Sequence, residues 1–141
     1  MKPVRYLVDT SAFIRLVRNP ELRKAWAEPV YHGVLGICPL TELEIFRCAR
    51  SREERDEWER TLRASYCWVL VPDQGFERAA EVQRSLTDLG AHRSAGPVDL
   101  LIAATAEQHR MTILHFDRDF TQVARVTGQP TRWIAAPGSV D

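Results

Sequence analysis

Lysine is almost absent from this chain. Of its 19 basic side chains only Lys2 and Lys24 are lysines, and the others are arginines. Arginine grips phosphate bidentately where lysine cannot, although a GC-rich coding bias would leave the same mark. Net charge is absent too, because 19 acids balance the 19 bases. No overall field therefore draws in a polyanion, and any steering of nucleic acid has to come from a local patch. Cysteine is scarce: Cys38, Cys48 and Cys67 are odd in number and lack a CxxC spacing. They argue against a disulfide framework and are expected to be reduced, in a cytoplasmic chain. No apolar run approaches the roughly 18 residues of a membrane span. The stretch "MKPVRYLV" is too short, and too soon interrupted by Asp9, for a secretory signal. Neither GxGxxG nor the P-loop pattern occurs, which removes dinucleotide and P-loop chemistry. The four histidines, His32, His92, His109 and His115, show no HExxH or similar spacing.

What is present is a regular alternation. Short apolar runs at 4–8, 34–38, 67–71, 112–116 and, weakly, 131–134 read as strands. Between them, helical patterns cover 11–18, 21–28, 40–49, 52–65, 74–89, 97–109 and 119–127, the last ending at Gly128. Continuous apolar strands alternating with helices predict a parallel sheet of about five strands covered on both faces, linked by right-handed crossovers. With 141 residues the chain has the length of one domain, residues 1–141, built as a three-layer α/β/α sandwich.

Ligands of such sheets bind beyond the carboxyl ends of the strands, and acids gather there. Asp9 ends the first strand in "VDTSAF", and Asp117 and Asp119 follow the fourth in "HFDRDF". Glu44 and Asp99 sit near helix starts in "PLTELEIFRC" and "GPVDLLIAATA". Each has an ordinary structural explanation. Asp9 can cap a helix. Thr41 and Glu44 match a capping box, with Thr41 as N-cap. Pro97 with Asp99 is normal helix-start chemistry, and Asp119 can cap the helix it begins. Together the explanations strain. Two carboxylates about 4 Å apart repel by about 4 kcal/mol at an effective dielectric of 20. A divalent cation would offset this, and hard oxygen ligands favour Mg²⁺ or Mn²⁺ over Zn²⁺. Metal-dependent phosphodiester hydrolysis is the chemistry to which the acids point.

The stretches "YLVDTSAFIRL", "PLTELEIFRCAR", "PVDLLIAATAEQHRMTILHFDRDF" and "VTGQPTRWI" resemble PIN-domain ribonucleases, specifically the VapC toxins of prokaryotic toxin–antitoxin pairs. The likeness runs from about residue 4 to 134. It implies a PIN fold, Mg²⁺ or Mn²⁺, cleavage of RNA, a homodimer and inhibition by a cognate antitoxin. Carried over by position, it implies Asp9, Glu44, Asp99 and Asp117 as catalytic acids, with Asp9, Asp99 and Asp117 on the metal. Glu44 is preferred to Glu42 because two apolar residues, Ile45 and Phe46, follow it. Asp119 could share the site. Thr10 and Ser11 could support the metal site or touch phosphate, though Ser11 could equally be a helix cap. Arg93, in "GAHRSAG", could reach phosphate or be an exposed arginine without a role.

Other α/β classes fit less well. A haloacid-dehalogenase-type phosphatase would want an acid where Ser11 stands, and a response-regulator receiver would want a late lysine. The alternative from another class is a PIN-like module with weak catalysis that acts mainly by binding protein or RNA. Segments 21–31 and 40–49 carry apolar residues, Leu22, Trp26, Val30, Leu43 and Phe46 among them, beyond what one sheet face needs. Part of that surface is expected to form a two-fold interface, as the resemblance implies, with ordinary core the other reading for Leu43 and Phe46.

Overall fold

The computed structural model describes residues 4–141. The chain runs β1 (Tyr6–Val8), α1 (Thr10–Arg18), α2 (Pro20–Ala25), α3 (Ala27–Tyr31), β2 (Leu35–Ile37), α4 (Pro39–Arg47) and α5 (Arg52–Ser65). It continues β3 (Cys67–Trp68), α6 (Gly75–Asp88), α7 (Pro97–Gln108), β4 (Thr112–His115), α8 (Asp119–Thr127) and β5 (Thr131–Trp133). All four strand pairings are parallel, in the order β3-β2-β1-β4-β5. The sheet is the middle layer of an α/β/α sandwich, as the alternation of strands and helices predicts.

Side chains alternate across the sheet as the pleat requires. Leu7 and Ile113 face a core built with α6, α7 and α8. Val8, Leu35, Ile37 and Leu114 face the other core, with α1, Trp26 and α5. The chain steps first from β1 to β3, then returns across to β4 and β5. The reversal moves the connecting helices to the opposite face, which is what right-handed crossovers demand. α7 is walled in by α6, α8 and the sheet, so Leu100 through Ala106 are all buried. No helix among the described residues is long and apolar enough to cross a membrane. All three cysteines are free.

Several local expectations are corrected. The strand expected over 67–71 pairs only at Cys67 and Trp68, on the sheet edge and shortly before Pro72. The helix expected over 21–28 is two helices, broken at Trp26. α4 begins at Pro39, whose fixed φ and missing N–H suit the first helical position, so Cys38 is the N-cap and Thr41 is not. Thr41 instead lies buried with its hydroxyl unpartnered, and the capping box with Glu44 does not form. Asp119 is likewise no cap; its own N–H is capped by Asp117, whose Oδ1 accepts it at 2.9 Å. Of the apolar residues part of which is expected to form a two-fold interface, Leu22 and Trp26 are core residues of the α1 face, 9% and 6% exposed.

Candidate active site

The reversal of strand order places its switch point between β1 and β4, and ligands of open parallel sheets bind at such a point. Asp9 follows β1 directly and Asp117 lies two residues past β4. Asp9 is buried, with extended backbone at the N-cap of α1. Its Oδ2 accepts the Ser11 N–H at 3.0 Å and the Ser11 hydroxyl at 2.7 Å. Its Oδ1 is buried with no partner. The Ser11 hydroxyl in turn accepts the Phe116 N–H at 2.8 Å, pinning the start of α1 to the loop after β4.

Three more elements deliver acids to this edge. Glu44, in the middle of α4, accepts the Thr10 hydroxyl at 3.1 Å. Asp99, in the first turn of α7, has only a long contact from the Gly96 N–H, 3.4 Å. Carboxylate oxygens of Asp99, Asp117 and Asp119 all lie within 4.8 Å of one another. None of the five acids forms an ion pair among the described residues.

The electrostatics follow from this crowding. Burial pushes the Asp9 carboxyl up to about 6, and the charges of Glu44 and Asp117 add to the rise while the Ser11 bonds oppose it. Burial likewise pushes Asp99 up to about 7, with Asp9, Asp117 and Glu44 contributing. Asp119 is raised by burial and by Asp117. Carboxyls crowded in this way are relieved either by protons or by a cation. A buried carboxylate oxygen without a donor is costly, and the partnerless Asp9 Oδ1 amid oxygen-only donors fits a hard divalent ion. The residues present therefore suit Mg²⁺ or Mn²⁺.

Glu42 stands apart from this group. The residue is 4% exposed, and its carboxylate takes a bidentate contact from Arg63 at 2.7 and 3.0 Å and the Trp68 indole N–H at 2.6 Å. It is paired where Glu44 faces other acids. Arg93 is exposed in the turn before α7 and makes no hydrogen bond or ion pair among the described residues.

Two residues that the sequence pattern does not single out border the site. His115 is fully buried at the end of β4, between Phe120 and Trp133, and its Nδ1 accepts the Asp117 N–H at 3.1 Å. Burial lowers its pKa to about 4, which leaves that nitrogen free to accept. Arg15, one turn after Ser11, lies over the Phe116 ring, 4.4 Å from its centroid. Its spacing from Ser11 is the one signal that could have found it.

The PIN domain family model matches residues 6–126. The ribonuclease VapC21 of Mycobacterium tuberculosis is 41% identical over 135 residues, covering 96% of this chain and 97% of that one. The chain is a PIN-domain protein of the VapC ribonuclease family. A second family member, ribonuclease VapC2 of the same organism, is 40% identical over 93% of either chain. Among solved structures, a chain of the DNA-bound VapBC of Salmonella typhimurium superposes with a TM-score of 0.75 at 16% identity, covering 94% of this chain and 99% of that one. That likeness is one of fold.

Proposed function

We propose that this VapC-family chain is the toxin of a type II toxin–antitoxin pair, an endoribonuclease that hydrolyses RNA at Asp9, Glu44, Asp99 and Asp117 with Mg²⁺, for which Mn²⁺ can substitute. The observation that carries the reading is the unpartnered, buried Oδ1 of Asp9 beside acids from three other elements. When bound, the metal would lower the pKa of a water and neutralise charge on the phosphodiester. Asp9, Asp99 and Asp117 would hold the ion, and Asp119, whose carboxylate lies within 4.8 Å of those of Asp99 and Asp117, is near enough to share it. Ser11 fixes the rotamer of Asp9 by donating twice to its Oδ2, which leaves Oδ1 open to a ligand. Glu44, held by Thr10, orients the attacking water. His115, by accepting the Asp117 N–H, fixes the turn that presents that carboxylate.

The partners in this reading are RNA, a cognate antitoxin and a second copy of the chain, all in the cytoplasm.

The test is RNA cleavage by the purified protein. EDTA should stop it, and Mg²⁺ or Mn²⁺ should restore it and raise the melting temperature through binding to the native state. Undiminished cleavage in EDTA would end the metal reading. RNA or protein binding without any cleavage in Mg²⁺ would favour the binding module instead.

A further inference from the structure

The arginine excess of the sequence has a place in the fold. Ser11, Arg15 and Arg18 stand at i, i+4 and i+7 of α1 and share one face, which leads away from the acids over about 10 Å. Arg15 is nearest the acids. Its Nη1 donates to the Ser11 carbonyl at 3.0 Å, its plane covers Phe116, the neighbour of Asp117, and its Nε is buried without a partner. Arg18, at the far end, donates to the Cys48 carbonyl at 3.3 Å and pairs with Glu54 at 3.4 Å. Arg50 is exposed, and its side chain makes no ion pair among the described residues. These three arginines, with Ile14, Asn19 and Asp141, line a cleft of about 670 Å³. The wall thus carries three cations against the Asp141 carboxylate, with Glu54 beside it pairing Arg18 and accepting the Arg50 N–H at 2.9 Å.

Structural roles account for only part of this group. Arg18 is paired with Glu54 and Arg15 is stacked on Phe116, but neither Arg15 nor Arg50 makes an ion pair among the described residues, so both guanidiniums stay open to an anion. Guanidinium forks match phosphate oxygens in geometry as well as charge.

We infer that the Arg15–Arg18–Arg50 cleft is the track that holds the sugar–phosphate backbone of the RNA as it leaves the acidic site. This rests on the ribonuclease reading above and adds to it the direction in which the substrate lies.

Arg50 supplies the cleanest test, because its side chain is exposed and its loss leaves the fold intact, as a thermal melt would verify. Binding of an end-labelled single-stranded RNA oligonucleotide is measured in EDTA, by fluorescence anisotropy over a series of salt concentrations. The proteins compared are the parent, Arg50→Gln, Arg15→Gln and Arg84→Gln. Arg84 is an exposed arginine on α6, across the sheet, and controls for net charge. Arg50→Gln and Arg15→Gln should each weaken binding about tenfold, the scale of one charge-assisted hydrogen bond. Each should also flatten the salt dependence by about 0.7 of a logarithmic unit, one single-strand phosphate contact. Arg84→Gln should match the parent. A parent that cleaves RNA in Mg²⁺ while Arg50→Gln and Arg15→Gln bind as tightly as it does, with the same salt slope, overturns the track alone. Equal weakening by Arg84→Gln also overturns it, since bulk charge would then suffice. A parent that neither binds nor cleaves RNA overturns the track and the ribonuclease reading together.

Discussion

Ser11 satisfies one oxygen of Asp9 twice, through its N–H at 3.0 Å and its hydroxyl at 2.7 Å, and leaves the other oxygen buried with nothing to accept. Asp9 is thus a helix cap by one oxygen and a candidate ligand by the other. The two roles respond oppositely to Asp9→Asn. Asparagine caps about as well as aspartate, so the fold should survive. Removal of the charge should lower RNA cleavage by at least about 100-fold, the scale of losing one electrostatic group at a reaction centre. Without metal the variant should melt no lower than the parent, because repulsion from Glu44 and Asp117 is relieved. Its rise in melting temperature with Mg²⁺ should shrink. Full activity with an unchanged metal response would leave Asp9 as a cap alone.

The same carboxyl sets a pH dependence. Asp9 is pushed from 3.8 up to about 6, and Asp99 up to about 7. Below about pH 4 the folded and unfolded chains carry the same protons at these groups. Between about pH 4 and 7 the folded chain holds more, so stability falls as pH rises. For Asp9 the loss is about 3 kcal/mol once ionisation is complete. Other carboxylates titrate as well, so the measurement is a difference: the melting temperature of Asp9→Asn minus that of the parent, in EDTA. It should grow from pH 4 to pH 7 and contract when Mg²⁺ is added, since metal and proton compete for the same oxygens. A flat difference would refute the assignment.

The two glutamates of "TELE" should separate cleanly. Glu42 is buried against Arg63 and Trp68, so Arg63→Ala strands a charge and should cost about 1–3 kcal/mol in urea denaturation. Cleavage per folded molecule should hardly change. Glu44→Gln should do the reverse, keeping stability and losing cleavage. The converse pattern would move the catalytic role to Glu42.

The proposed two-fold interface now rests on a smaller set of residues. Leu43 is 67% exposed on α4, and Phe46 beside it is half-buried under the Arg55 guanidinium. Light scattering at tens of micromolar should give twice the chain mass, and Leu43→Glu should reduce it to one. A monomeric parent would remove the dimer from the reading.

The alternation of strands and helices, and with it the α/β/α layering, was legible in the sequence because hydrophobic period and burial are local properties. The N-cap site of Asp9, the first-turn site of Asp99 and the ends of α5 could be read for the same reason. Failures came where one residue's role depended on distant chain. Pro39 moved the start of α4 and left Thr41 without a cap to make. Leu22 and Trp26 looked like surplus apolar surface until α1 and β5 closed over them; the indole of Trp26 donates to the Ile134 carbonyl, 108 residues away, at 3.4 Å.

The sequence by itself determined which residues are acidic and in which order they follow the strands. Only the tertiary structure decided that the strand order reverses between β1 and β4, so that acids from four separate elements meet at one edge. It also decided that Glu42 finds Arg63 while Glu44 finds Thr10, and that scattered arginines on α1 and the α4–α5 loop share a cleft. Periodicity specifies which face of an element is buried. Which charges become neighbours depends on the path of the chain between elements, and that path is settled by packing across the whole core.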